Sequence, residues 1–171
     1  RCWWAFERVF SGFCSRVIVA DSHLAHKFRH KTPLILRNYP HLGFMDVEPQ
    51  QNRSTFNVIY VGSISEVRGV HQLVSAIQSI PEGDLRLILV GECRDPSLEE
   101  LIRQDPRNEM VGRVDLVDLH RFYARADCGV ALYQPLESFI TCDHSVKIIE
   151  YMAAGIPVIC SDFPGLRALV E

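Results

Sequence analysis

The chain contains no apolar run approaching the roughly 20 residues that a membrane-crossing helix requires. It also has no block of consecutive Lys or Arg. With 18 basic against 21 acidic residues its formal net charge is −3, which argues against a nucleic-acid surface. No C-x-x-C pair occurs: Cys2, Cys14, Cys93, Cys128, Cys142 and Cys160 lie scattered, without disulfide-framework spacing. That usage fits a reducing, cytoplasmic compartment. The start lacks both Met and the charged-then-apolar order of a signal peptide, and RCWWAFERVF reads as the inside of a helix, so a fragment of a longer protein is expected.

What is present is ordinary for a folded domain. Hydrophobic residues make up 47% and charged residues 23%, close to the averages for soluble globular proteins. A length of 171 residues suits one domain, or one domain with part of another.

Trp3, Phe6, Phe10 and Phe13 recur at intervals of three and four, one apolar helical face that calls for a partner. SRVIVAD (15–21) and TPLILRNYP (32–40) read as short strands flanking a polar helix that begins near Ser22. Residues 41–55 have no period and are polar with Pro and Gly, the signature of a linker. From residue 57 onward apolar runs alternate with helical patterns: NVIYVG, GVHQLVSAIQ, LRLILVG, PSLEELIRQ, NEMVG, VDLHRFYARA, DCGVALY, KIIEYMAAG and IPVICSD. This alternation predicts an α/β fold, a Rossmann-like parallel sheet with helices on both faces. The domain reading is therefore 1–40, the end of a first domain; 41–56, an interdomain linker; and 57–171, a ligand-binding domain truncated at its C-terminus.

Three of the predicted strands end in glycine, at Gly62, Gly91 and Gly112. Ligands of doubly wound sheets bind beyond the carboxyl ends of the strands, where glycine lets backbone approach a phosphate or a base. Each glycine alone is equally an ordinary turn residue. Near Ser145 a helix begins, and its first amides together with the positive end of its dipole attract a diphosphate. Ser145 is also an ordinary N-cap by type. Lys147, Glu150 and Tyr151 then fall on one helical face, with Ile148 and Met152 on another. A cation there pairs with phosphate and a carboxylate accepts from ribose hydroxyls; alternatively the two form a surface ion pair.

The segment KIIEYMAAGIPVICSDFPG closely resembles the signature of the retaining family 4 (group 1) glycosyltransferases, whose GT-B fold sets two Rossmann-like domains across a cleft. RVIVADSHLAHKF and LILRNYP resemble the chain leaving the first domain, and YVGSISEVRGVHQLVSAI resembles the opening of the second. The resemblance spans nearly the whole chain and implies a donor-binding half: a nucleotide-diphosphate sugar, UDP- or GDP-linked, and transfer with retention to a glycan or lipid-linked acceptor in polysaccharide biosynthesis. It implies that Glu150 holds the nucleotide ribose and that Arg68 neutralises the pyrophosphate. Gly62, Ser63 and Gly91 fall beside the phosphates and strand ends, and Gly112, Arg113 and Val114 where the base is gripped. It implies no cofactor and no required metal, no nucleic acid, and membrane contact only through the missing first domain, at the inner face.

The sequence departs from the family at one telling place. Members carry a carboxylate eight positions before the ribose-binding Glu, and here Cys142 stands there, with Asp143 beside it as a second-rank catalytic candidate. Glu137 lies too far upstream to match without a gap. Ser63 likewise stands where many members have Arg, which leaves Arg68 and Lys147 as the cations. A competing reading is therefore a binding module derived from such a transferase that has lost activity; a sugar-nucleotide epimerase is a third. Cys142, Asp143 and His144 do not make a zinc site, which needs about four ligands at suitable spacing.

Overall fold

The computed structural model describes residues 2–40, 47–48, 54–81 and 83–171. Of the predicted linker, residues 41–46 and 49–53 lie outside the described residues. The chain forms two compact units: Arg1–Tyr39, Glu137–Ser145 and Asp162–Glu171 make one, and Pro40–Leu136 with Val146–Ser161 make the other.

In the first unit, α1 (Cys2–Phe13) carries the aromatic stripe as its spacing predicts. Trp3, Phe6, Phe10 and Phe13 are all exposed, and the rings of Trp3 and Phe6, and of Phe6 and Phe10, meet at 5.5 and 4.1 Å. The two predicted strands shrink to β1 (Ile18–Val19) and β2 (Leu34–Ile35), paired in parallel. Between them α2 (Ser22–Ala25) starts where the Asp21 side chain accepts from the His23 amide at 2.7 Å, a normal N-cap. A tighter 3-10 turn continues to Lys31. The unit is completed by α6 (Glu137–Ile140) and α8 (Pro164–Val170).

The second unit is the expected Rossmann-like α/β structure. Its five strands are β3 (Phe56–Val61), β4 (Leu85–Val90), β5 (Asn108–Gly112), β6 (Cys128–Ala131) and β7 (Val158–Cys160). They are all parallel, in the order β5-β4-β3-β6-β7. The crossovers are α3 (Val70–Ser79), α4 (Pro96–Arg103), α5 (His120–Tyr123) and α7 (Val146–Ala153).

Side chains alternate across the sheet, as the two-residue period of a strand requires. Val58, Tyr60, Leu87 and Leu89 pack on one face with Val70, Leu73, Val74 and Ile77 of α3 and Leu98 and Ile102 of α4. Ile59, Val61, Ile88 and Val90 pack on the other with Leu119, Tyr123, Tyr151 and Ala154. Leu87 to Val90 are at most 2% exposed, which explains why β4 reads in the sequence as an unbroken apolar run. The start of α4 follows from its residues: Asp95 accepts from the amides of Ser97 and Leu98, and Pro96 occupies the first turn. The pattern VDLHRFYARA predicts a longer helix than α5. Instead the segment opens as a 3-10 turn over Leu116–Asp118 and buries only Leu119 and Tyr123 before reaching Ala126.

Candidate functional site

Numbering outward from β3, the chain goes to β4 and β5 on one side and returns to β6 and β7 on the other. The order reverses between β3 and β6, and in open parallel sheets the carboxyl end of such a reversal opens a crevice. The residues around that point define the candidate site.

Gly62, Gly91 and Gly112 sit at the ends of β3, β4 and β5 with φ of +133°, +150° and +82°, a region open to glycine and costly for other residues. They also form a row: the Gly62 amide donates to the Val90 carbonyl and the Gly91 amide to the Gly112 carbonyl, both at 2.8 Å. A side chain at Gly91 would place its first carbon 1.9 Å from the Gly62 oxygen. The backbone itself therefore requires glycine at Gly91, with or without a ligand.

Lys147 lies in the first turn of α7, whose body packs on the Ile59 and Val61 face of the sheet. Its side chain reaches over the end of β3. The ammonium lies 3.9 Å from the centre of the Tyr60 ring, on the opposite face, and 5.4 Å from that of Tyr133. Gly62 leaves room for this path, since a side chain there would sit 3.3 Å from Nζ. Lys147 is 8% exposed, and Nζ has no hydrogen-bond partner among the described residues. Burial, reinforced by the Arg68 charge, lowers its pKa to about 7, against a smaller opposing pull from Glu150. Lys147 and Glu150 do not form the surface ion pair that spacing alone allows, because both are buried.

Glu150 accepts a hydrogen bond from the Tyr123 hydroxyl at 3.0 Å. Burial pushes its carboxyl above the ordinary range, and the Tyr123 hydrogen bond and the Lys147 charge pull it back. Arg68 ends a 3-10 turn (Glu66–Arg68) that follows β3, and Gly69, at φ +69°, turns the chain into α3. Ser63 and Arg113 are exposed, while Val114 is partly buried against the apolar cluster that includes Tyr123 and Tyr151. The fold thus brings Gly62, Arg68, Lys147 and two tyrosines to one strand end. Ile148, expected on a separate face from Lys147, is also fully buried, and Met152 alone of those helix residues is exposed.

Tyr151 has a structural role beyond its place on the helical face of Lys147 and Glu150. The β3 and β6 ladder stops at the pair Ile59 and Gly129. Just beyond it the Tyr151 hydroxyl accepts from the Val61 amide at 2.9 Å and donates to the Val130 carbonyl at 3.4 Å. Its ring lies against Gly129, where a side-chain carbon would come within 2.5 Å. The sequence carried one signal for this, a glycine inside the apolar strand DCGVALY.

Ser145 and Asp143 belong to the other unit. Ser145 is buried and directly precedes α7 in the chain. Asp143 accepts from the Ser22 hydroxyl and, at 2.9 Å, from Arg37. Burial alone would raise its pKa, but these two donors outweigh it and hold the carboxyl below the usual range. Cys142 donates its thiol to the His144 carbonyl at 3.4 Å, and burial pushes that thiol up. Within the same unit Cys142 lines a cavity of about 370 Å³ together with Asp21, His23, Lys27, Glu137 and Thr141.

Known structures share this fold. HepE from Anabaena in complex with UDP-glucose superposes with a TM-score of 0.71 at 20% identity, over 93% of this chain and 48% of that one. A glycosyltransferase from Rickettsia africae gives 0.75 at 13% identity, over 100% and 50%. WaaG, a glycosyltransferase involved in lipopolysaccharide biosynthesis, gives 0.70 at 18%, over 91% and 46%. The chain thus spans about half the length of the solved structures it matches. No curated protein sequence matches it. The family described as "Glycosyl transferases group 1" matches residues 55–171, which takes in the entire five-stranded sheet and every residue of the strand-end cluster, and the chain belongs to that family.

Proposed function

We propose that this chain holds the nucleotide-diphosphate sugar of a retaining glycosyltransferase, and that residues 57–171 form the donor domain after an interdomain linker at 41–56. The observation that carries the reading is the Lys147 ammonium, buried at the end of β3 without a hydrogen-bond partner. A buried charge left in that state is costly unless something anionic completes it. Arg68, close enough to depress the Lys147 pKa, supplies a second positive charge. With the donor bound, Arg68 and a protonated Lys147 stabilise a departing diphosphate by positive charge held in place, the task a metal ion has in other transferases. Glu150, oriented by Tyr123, takes the ribose hydroxyls.

The acceptor, a glycan or lipid-linked sugar, belongs to the first domain, so the 171-residue chain binds donor without turning it over. The protein works in the cytoplasm, with any membrane attachment at the inner face; no helix among the described residues is long and apolar enough to cross a membrane. A thermal-shift panel of UDP, GDP and their sugars tests the reading. Selective stabilisation by one nucleotide series supports it and names the base; a flat response across the panel refutes it.

A second reading keeps nucleotide binding and drops catalysis. It is favoured by Cys142 where the family has a carboxylate, and by Asp143, whose carboxylate is already engaged by Ser22 and Arg37. Sugar transfer or donor hydrolysis by the longer protein separates the two.

A further inference from the structure

Lys147 is held by rings rather than by acceptors. Tyr60 of β3 presents its ring face to the ammonium at 3.9 Å, while its hydroxyl donates to the Ser63 carbonyl at 2.7 Å. One side chain therefore fixes both the cation and the loop after the strand. Tyr133, which follows β6, adds a second ring at 5.4 Å. A π face attracts a cation but takes none of its N–H donors in a conventional hydrogen bond. All three donors of Lys147 thus stay uncommitted, in a setting that penalises the charge.

Among the described residues of its unit, few groups bear on this ammonium. Tyr60 comes from β3, Arg68 from the turn after it, Tyr133 from the segment after β6, and Glu150 from α7 itself. Burial pushes the Tyr60 and Tyr151 hydroxyls to titrate far up the pH scale, so neither supplies a negative charge near neutrality. Arg68 opposes the charge on Lys147, and Glu150 favours it less than burial disfavours it.

We infer that a nucleoside diphosphate ester binds here with uptake of a proton by Lys147, the tyrosine rings positioning the amine so that protonation and phosphate contact occur together. This rests on the donor-site reading above and adds to it a definite stoichiometry. Well above the midpoint of the ligand-free amine, the nitrogen gains up to one proton from buffer, forming an N–H bond, and the resulting ammonium donates to the diphosphate oxygens. A sugar nucleotide has no phosphate group that titrates near neutrality, so the proton is assigned to the protein. Linkage then makes donor affinity fall by up to about tenfold per pH unit above the midpoint of the ligand-free amine.

The chain has only three lysines, Lys27, Lys31 and Lys147, which makes the test direct. The whole chain, labelled with carbon-13 at the lysine ε position, is titrated by NMR from pH 6 to 10, free and with UDP-glucose or GDP-mannose. Binding is followed in parallel by calorimetry. In the free chain the Lys147 signal is expected to titrate near pH 7. The Lys27→Arg, Lys31→Arg double variant leaves Lys147 as the sole signal. Bound ligand is expected to move that midpoint up by at least one pH unit. If a ligand binds but the Lys147 midpoint stays put, or if all three lysines titrate together, the inference fails and the donor-site reading stands. If neither ligand binds between pH 6 and 8, both fall.

Discussion

The Tyr123 hydroxyl donates to the Glu150 carboxylate over 3.0 Å, and both side chains are buried. The two residues stand 27 positions apart, on α5 and α7, so the bond joins two crossovers on the same face of the sheet. Tyr123→Phe removes the donor and lets the Glu150 carboxyl rise further. Between its ordinary value and the raised one the folded chain holds more protons than the unfolded chain, so stability falls as pH rises through that window. The expected loss is about 1–3 kcal/mol at pH 7, and smaller at pH 5, measured by urea unfolding. Equal losses at both pH values would separate the hydrogen bond from the ionisation of Glu150.

Lys147 gives the opposite slope. Its folded pKa, about 7, lies below the ordinary 10.5. From pH 7 to 10 the unfolded chain therefore binds more protons than the folded one, and stability without ligand rises with pH across that interval. Lys147→Met is expected to abolish the rise and to stabilise the free chain at pH 7, by an amount of order 4 kcal/mol. Thermal unfolding at pH 7 and 9 checks both points. The same substitution is expected to weaken nucleoside diphosphate binding by at least tenfold in calorimetry.

Tyr151→Phe leaves the Val61 amide and the Val130 carbonyl without the phenol that joins them. A buried donor deprived of its acceptor costs about 1–3 kcal/mol. Urea unfolding is expected to show that loss. A loss under about 0.5 kcal/mol would mean that the strands close on each other.

Substitutions at Gly91 and Gly129 are expected to differ in degree. At Gly91 an added carbon meets backbone at 1.9 Å and the φ of +150° is unfavourable as well, so Gly91→Ala is expected to abolish soluble expression. At Gly129 the obstacle is the Tyr151 ring at 2.5 Å. Gly129→Ala is expected to fold with a loss of about 1–3 kcal/mol from overpacking, and Gly129→Ala with Tyr151→Leu is expected to recover part of it. A double variant as unstable as the sum of the two would remove the ring as the cause.

Legibility in the sequence followed the strength of the local signal. The apolar runs of β3 and β4 and the i, i+3, i+4, i+7 pattern of α3 are set by burial on a regular period, and they appear where the pattern puts them. β1 and β2 keep two residues each because, among the described residues, they pair only with each other, and Ile18, Leu34 and Ile35 remain exposed. The depth of Lys147 was not legible. A lysine in a helix pattern reads as solvated, and its burial depends on a glycine at residue 62 and a tyrosine at residue 60, 87 positions away in sequence, whose proximity exists only once the sheet has formed. The Tyr123 and Tyr151 contacts are invisible for the same reason: each is a long-range bond to a partner that no period encodes.

Tyr151 works as a dowel driven between two strands, and it belongs to the same eight-residue helix as Lys147 and Glu150. Such a short helix has little freedom to roll or slide while its peg stays seated, so both charged side chains inherit one angular setting from a neutral phenol. A ligand that draws Lys147 forward pulls on that peg. A change in hydrogen exchange at the Val61 amide, which is committed to the Tyr151 hydroxyl, is then expected to report when the site is filled.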